Sequence, residues 1–165
     1  MIRKANLKDV PAIHALLKHW ADKSVLMPRS MSDLCDDLRD FIVYEKKGKL
    51  AGCAALHLTW TDLAELRSVA VEKSCQDKGV GSKLVEVCLA EARKLEVPRI
   101  FVLTFVPNYF KRFGFKRVPK ESFPQKIWVD CVNCKHFPNC NEVAMELDLT
   151  VTPAKKRPGP RRKDR

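Results

Sequence analysis

The stretch from Ala64 to Leu95 limits the fold more than any other part of the chain. A strand-forming run, Ala64-Glu65-Leu66-Arg67-Ser68-Val69-Ala70-Val71, leads through Gln76-Asp77-Lys78-Gly79-Val80-Gly81-Ser82 into a helical pattern. In that pattern Val80, Leu84, Val85, Cys88, Leu89, Ala92 and Leu95 recur at the three-and-four spacing of an amphipathic helix. Strand, glycine turn and helix in direct succession present backbone N–H groups to a phosphate. Behind Pro98, Ile100 to Phe105 is a near-continuous apolar strand of the kind buried on both faces. The unit is therefore βαβ, and the centre of the fold is α/β.

The flanking sequence adds antiparallel strands. Ile2 to Ala5 reads as a short strand, with Asn6 as N-cap of a helix over 7–21 whose apolar residues are Val10, Ile13, Leu16, Leu17 and Trp20. His14 and His19 in this helix read as surface residues. After Pro28 and Arg29, Ser30 with Asp33 resembles a capping box for a second helix with Met31, Leu34, Cys35 and Leu38 on one side. Strands are expected at 41–45 and 50–59, joined by Lys46-Lys47-Gly48-Lys49, and at 63–72. A period of two along this last strand puts Glu65, Arg67, Val69 and Val71 on one face and Leu66, Ser68 and Ala70 on the other. Pro107-Asn108 opens a short helix over 109–113, ended by Gly114. Strands at 115–118 and 143–149 follow, the first leading into an irregular cysteine-containing stretch.

At 165 residues and 45% hydrophobic composition the chain is expected to form one domain over 1–150, with 151–165 as a disordered basic tail. The net charge of +11 suggests nucleic acid until its location is considered. Residues 153–165 hold seven cations and one acid, so six of the eleven net charges sit in the tail. The body is mildly basic, and no aromatic residue interleaves the tail cations. No apolar run approaches the roughly 20 residues of a spanning helix. Seven cysteines without a signal pattern read as intracellular thiols or metal ligands, which places the protein in the cytoplasm and off the membrane.

Residue chemistry narrows the turn. Gln76-x-x-Gly79-x-Gly81 is neither the six-residue dinucleotide fingerprint nor a P-loop, so a pyrophosphate other than that of NAD or ATP is indicated. From local sequence Glu65 and Arg67 are a surface ion pair, Arg29 is a solvated loop cation and Tyr109 is structural.

At these motifs the chain resembles the GNAT acetyltransferase superfamily, whose pyrophosphate motif is Gln or Arg-x-x-Gly-x-Gly or Ala. The resemblance implies a single domain with a central mixed, mostly antiparallel, splayed sheet flanked by helices, and acetyl-CoA as co-substrate. Backbone N–H groups from Lys78 through Gly79, Val80, Gly81 and Ser82 would hold the pyrophosphate with Gln76, and the main chain of Val69 and Val71 would pair with pantetheine. Leu26-Met27-Pro28-Arg29-Ser30, Ala51-Gly52-Cys53-Ala54-Ala55-Leu56, Glu65 to Val71, Phe101-Val102-Leu103-Thr104, Phe113-Gly114-Phe115 and Val118-Pro119-Lys120-Glu121-Ser122 are similar, in collinear order, to the acetyltransferase domain of bacterial N-acetylglutamate synthases. The amino-acid kinase-like domain of those enzymes is not in this sequence. The implied reaction is acetyl transfer to the α-amino group of L-glutamate in arginine biosynthesis, with Glu65 as base through water. Arg29 then becomes a ligand of a substrate carboxylate, with Arg67 and Lys126 as further candidates. The superfamily's usual tyrosine position is Phe110 here, so Tyr109 as acid and unaided thiolate departure both stay open. A homodimer is left open as well.

Two other functions compete. One is acetylation of a protein or peptide amine. The other is a basic nucleic-acid or partner-binding protein with an acyl-CoA-sensing body. Separately, Cys131, Cys134, Cys140 and His136 are four soft ligands within ten residues. Structural zinc and a loop packed by free thiols both stand, the latter preferred because His136 lies close to Cys134. Cys35, Cys53, Cys75 and Cys88 read as core.

Overall fold

Capping chemistry sets the first boundaries. In the computed structural model, which describes residues 1–123, 131–134 and 139–151, Asn6 accepts from the Lys8 N–H while Asp9 reaches back to the Asn6 N–H. This closes a 3-10 turn (Leu7–Asp9) that runs directly into helix α1 (Val10–Ala21). Ser30 and Asp33 form the reciprocal capping box expected of them and start α2 (Met31–Asp36). The Lys47-Gly48 hairpin has positive φ at both residues, 51° and 75°, the conformation that matches strand twist.

Among the described residues, seven strands form one open mixed sheet in the order β1-β2-β3-β4-β5-β7-β6. They are β1 (Ile2–Lys4), β2 (Phe41–Lys46), β3 (Lys49–Trp60), β4 (Leu63–Val71), β5 (Arg99–Thr104), β6 (Lys116–Arg117) and β7 (Val143–Asp148). Every pairing is antiparallel except β4 with β5, which are joined by helix α3 (Val80–Lys94). This is the splayed, mostly antiparallel α/β sheet the sequence implies. A fourth helix, α4 (Pro107–Lys111), follows β5 two residues earlier than its expected start.

The two faces carry separate cores. On one, Leu84, Val85, Cys88, Leu89 and Ala92 of α3 pack with Leu56, Leu66, Ile100, Val102 and Met145. On the other, Ile13 and Leu17 of α1 and Leu34 of α2 cover Phe41, Val43, Cys53 and Ala55. Phe101 stacks on Phe123 at 4.3 Å between centroids in a smaller cluster with Leu63 and Ala144.

Three expectations require correction. The period of two along β4 fails beyond Arg67, because Ser68 adopts φ 54° and Ser68-Val69 together oppose Ala54 between the pairs Ala55–Arg67 and Cys53–Ala70. This bulge shifts every later residue to the other face. Val69 and Val71 consequently pack with Leu66 on the α3 side, while Ala70 joins the α1 core. Cys35 is exposed rather than core, since α2 is only six residues long and turns only Leu34 fully inward. Leu95 caps α3 and is also exposed.

Candidate active site

Pairing between β4 and β5 is confined to Leu63–Arg99, Ala64–Ile100 and Glu65–Phe101. Beyond those pairs the strands part, and a cleft of about 750 Å³ opens between them. Leu66 to Val69 and Val71 form one wall and Val102 to Thr104 the other. The turn before α3 and the start of α4 close one end. The bulge at Ser68 lies within the first wall, and the Cys53 thiol donates to the Ser68 carbonyl at 3.5 Å. The Val71 carbonyl accepts from the indole of Trp20 at 3.2 Å.

At the closed end, Asp77 and Gly79 both have positive φ, and Gly79 is the N-cap of α3. The Lys83 N–H, bonded to the Gly79 carbonyl at 3.0 Å, is the first intrahelical donor, so the N–H groups of Val80, Gly81 and Ser82 before it have no intrahelical acceptor. A helix of this length carries about half a positive charge at that terminus. Gln76, Gly79, Val80, Gly81 and Ser82 all line the cleft with Val69 and Val71. Lys78 does not, and its Nζ instead donates to the Ser74 carbonyl at 2.8 Å.

Tyr109 also lines the cleft, and its hydroxyl rests on the helix start. A Cβ on Gly81 would lie 2.8 Å from Tyr109 Oη, so only glycine lets ring and helix approach this closely. Tyr109 Oη is buried with no hydrogen-bond partner among the described residues. The Arg112 guanidinium lies 4.6 Å from the Tyr109 ring centroid and donates to Ser82 Oγ at 3.1 Å. Nothing in the local sequence around Arg112 marked it.

The other end of the cleft is marked by Arg67, which belongs to a network of charges. Glu65 and Arg67 are 4% and 8% exposed, so they are not the surface pair their local sequence suggests. Arg67 donates to Asp37 Oδ2 at 2.6 Å and lies 3.5 Å from Glu65 Oε2. Arg29 Nη1 stands 3.9 Å from the same Asp37 oxygen. His57 Nδ1 is 2.6 Å from Asp40 Oδ2 and 3.9 Å from Asp37 Oδ1. The buried Glu65 carboxylate and the half-buried Asp37 carboxylate share the one buried guanidinium, because a buried charge without compensation costs several kcal/mol, roughly.

Glu65 and Arg29 do not themselves line the cleft but adjoin it through Arg67 and Asp37. Sequence reasoning missed Asp37, Asp40 and His57. Pairing gives the signal, since His57 stands directly opposite Glu65 on β3. Asp37, Asp40 and His57 are the one set of three metal-ligating side chains within 4.8 Å among the described residues, and Arg67 already occupies Asp37.

Lys126 and His136 lie outside the described residues. Cys131 and Cys134 are joined by a 3.1 Å backbone bond, and Cys134 Sγ donates to Met27 Sδ at 3.7 Å. Cys140 Sγ accepts the Glu142 N–H at 3.4 Å. This brings the cysteine stretch beside Leu26 and Glu142, which line the cleft. No helix among the described residues is long and apolar enough to cross a membrane.

The model of the acetyltransferase (GNAT) family matches residues 11–115. The chain is 40% identical over 148 residues to an uncharacterized N-acetyltransferase of Chlorobaculum tepidum, covering 90% of this chain and 96% of that one. It is 39% identical over 121 residues to an amino-acid acetyltransferase of Mycobacterium tuberculosis, covering 72% and 69%. Among solved structures, N-acetylglutamate synthase from Neisseria gonorrhoeae complexed with coenzyme A and N-acetyl-glutamate superposes with TM-score 0.79 at 27% identity. That match covers 90% of this chain and 35% of the synthase, so the chain spans about a third of that protein.

Proposed function

The chain belongs to the acetyltransferase (GNAT) family and uses acetyl-CoA, and from that premise we propose that it acetylates the α-amino group of L-glutamate in arginine biosynthesis. The carrying observation is that one cleft has two charged ends of different design. A helix N-terminus suited to phosphate lies at one, and a charge cluster around the buried Arg67 at the other. Support for glutamate comes from the amino-acid acetyltransferases and the N-acetyl-glutamate complex among its relatives.

In this proposal the pyrophosphate of acetyl-CoA lies on the N–H groups of residues 79–82 beside Gln76, and pantetheine runs along Val69 and Val71. Because the Val71 carbonyl already accepts from Trp20, Val69 carries the main-chain acceptor role. Arg29, Arg67 and Lys126 hold the two carboxylates of glutamate. An α-ammonium titrates near about 8, so a carboxylate acting through water is a sufficient base, and Glu65 takes that role. The free amine attacks the thioester carbonyl, and the resulting oxyanion is met by backbone N–H groups near the Ser68 bulge. Collapse expels the CoA thiolate, which is a good enough leaving group to depart unaided, with Tyr109 as the alternative proton donor. Residues 1–150 form the acetyltransferase domain and 151–165 a basic extension of it.

The test is CoA release by purified protein with acetyl-CoA and a panel of glutamate, glutamine, other amino acids and peptides. Preferential turnover of glutamate is expected; equal or greater turnover of peptides would replace this acceptor. Glu65→Gln should lower kcat by about 100-fold or more, as expected for loss of a general base. Arg29→Ala should raise the glutamate KM by about 10-fold or more while kcat changes little, because a charged hydrogen bond is worth roughly 1.5–3 kcal/mol. An unchanged KM would remove Arg29 from the pocket.

A further inference from the structure

Two described cations line the cleft, Arg67 and Arg112. Arg67 pairs with Asp37 and Glu65 at the acceptor end. Arg112, on the turn after α4, sits at the other end, against the first turn of α3. Its Nη2 donates to Ser82 Oγ at 3.1 Å and its Nε to the Tyr109 carbonyl at 3.4 Å, and among the described residues no carboxylate pairs with it. The guanidinium lies over the Tyr109 ring at 4.6 Å and over the neighbouring Phe113 ring at 5.7 Å, on one side of the pair. An exposed arginine ordinarily loses rotamer entropy to be held in place, and here two aromatic faces and two neutral oxygens hold it beside the N–H groups of Val80, Gly81 and Ser82. A planar fork of donors so placed complements a diphosphate, each of whose phosphoryl groups carries negative charge and acceptor oxygens.

We infer that Arg112 is a side-chain ligand of the donor's pyrophosphate, completing with a cation a site that the turn Gln76 to Ser82 builds from backbone. Lys78, the cation within the motif itself, is turned away onto Ser74. The charge missing from the motif is thus supplied from α4, and Tyr109 is the platform that aims it. On binding, the Ser82 hydroxyl that now accepts from Arg112 becomes a second donor to the same phosphate. The inference rests on acetyl-CoA as donor and is independent of the acceptor.

The experiment compares three donors, acetyl-CoA, acetyl-3′-dephospho-CoA and S-acetyl-pantetheine, with wild type, Arg112→Ala and Arg112→Lys. CoA and 3′-dephospho-CoA binding is also measured by calorimetry, which needs no acceptor. Arg112→Ala should weaken CoA and dephospho-CoA alike by about 10-fold or more, since a charged hydrogen bond is at stake, and leave kcat/KM with S-acetyl-pantetheine within two-fold or so; Arg112→Lys, which keeps the charge but loses the planar fork, should fall between wild type and Arg112→Ala. Equal losses with S-acetyl-pantetheine would reduce Arg112 to a support for Tyr109 and overturn the inference. An effect that disappears with dephospho-CoA would move the contact to the 3′-phosphate and overturn it too, as would unchanged CoA binding. Loss of glutamate turnover with intact CoA binding in the wild type would count against the acceptor alone.

Discussion

Glu65 and Arg67 illustrate how a residue's chemistry depends on depth. Alternating acid and base on a strand ordinarily form a surface pair worth little. Here burial and sharing with Asp37 turn them into a fixed charge array beside the cleft. The cysteines divide in the same way. Burial pushes the Cys53 and Cys88 thiols up to about 12, whereas Cys35 is exposed. At pH 8 the two buried thiols are thiolate to the extent of about one part in ten thousand, and the thiolate is the nucleophile. Iodoacetamide on the native protein should therefore label Cys35 and leave Cys53 and Cys88 unmodified until denaturant is added, as read by peptide mass spectrometry. Native labelling of Cys53 would contradict the packing of β3 against α1. Because folding raises the pKa of these two thiols, their contribution to stability is present below about pH 8.5 and declines above it as unfolded thiols ionise.

At the scale of elements, the strand, turn and helix from Ala64 to Lys94 behave as one device, and two glycines in it do different work. A methyl group on Gly79 would meet no atom within 4 Å, but φ there is 75°, so Gly79→Ala is costly through backbone strain alone, about 1–2 kcal/mol. Gly81 is in ordinary helix, and its substitution meets Tyr109 Oη instead. Gly81→Ala should raise the KM for acetyl-CoA by several-fold, roughly, with a smaller change in melting temperature than Gly79→Ala. Adding Tyr109→Phe, which deletes the opposing oxygen, should recover part of the loss caused by Gly81→Ala and none of that caused by Gly79→Ala. Independent effects in both double variants would mean that Tyr109 and Gly81 do not touch. The β4 bulge was not legible in the same way. Ser68 looks like any strand residue, and only the register against Ala54 reveals the inserted position.

Across the whole molecule, Arg3 joins parts that are far apart in sequence. It donates to both oxygens of Asp9 at 2.7 and 2.9 Å and to Glu45 at 3.0 Å, tying β1 to β2 and to the start of α1. That guanidinium, with the Asn6 N–H, holds the Asp9 carboxyl below the usual carboxylate range. A lowered folded pKa contributes stability that is complete above the unfolded value near about 3.9 and is lost as pH falls through the folded value. Arg3→Leu should cost about 2 kcal/mol at pH 7 and less as the pH is taken below about 3, measured by urea denaturation across that range. A penalty independent of pH would mean that packing, and not Asp9, is what Arg3 supplies.

The sequence by itself determined the elements whose causes are local: the capping boxes at Asn6 and Ser30, the Lys47-Gly48 hairpin, the βαβ unit and the glycine turn that points to a pyrophosphate. Short-range hydrogen bonds and the periods of strand and helix are written in neighbouring residues, which is why these were readable. Tertiary structure alone decided the rest. It opened β4 from β5 after Glu65, buried Glu65 with Arg67, brought Asp37 and Asp40 to His57, turned Lys78 away, and carried Arg112 onto Ser82. Each of these depends on which strands pair and where a bulge shifts the register, and those long-range choices leave no mark within a window of neighbouring residues.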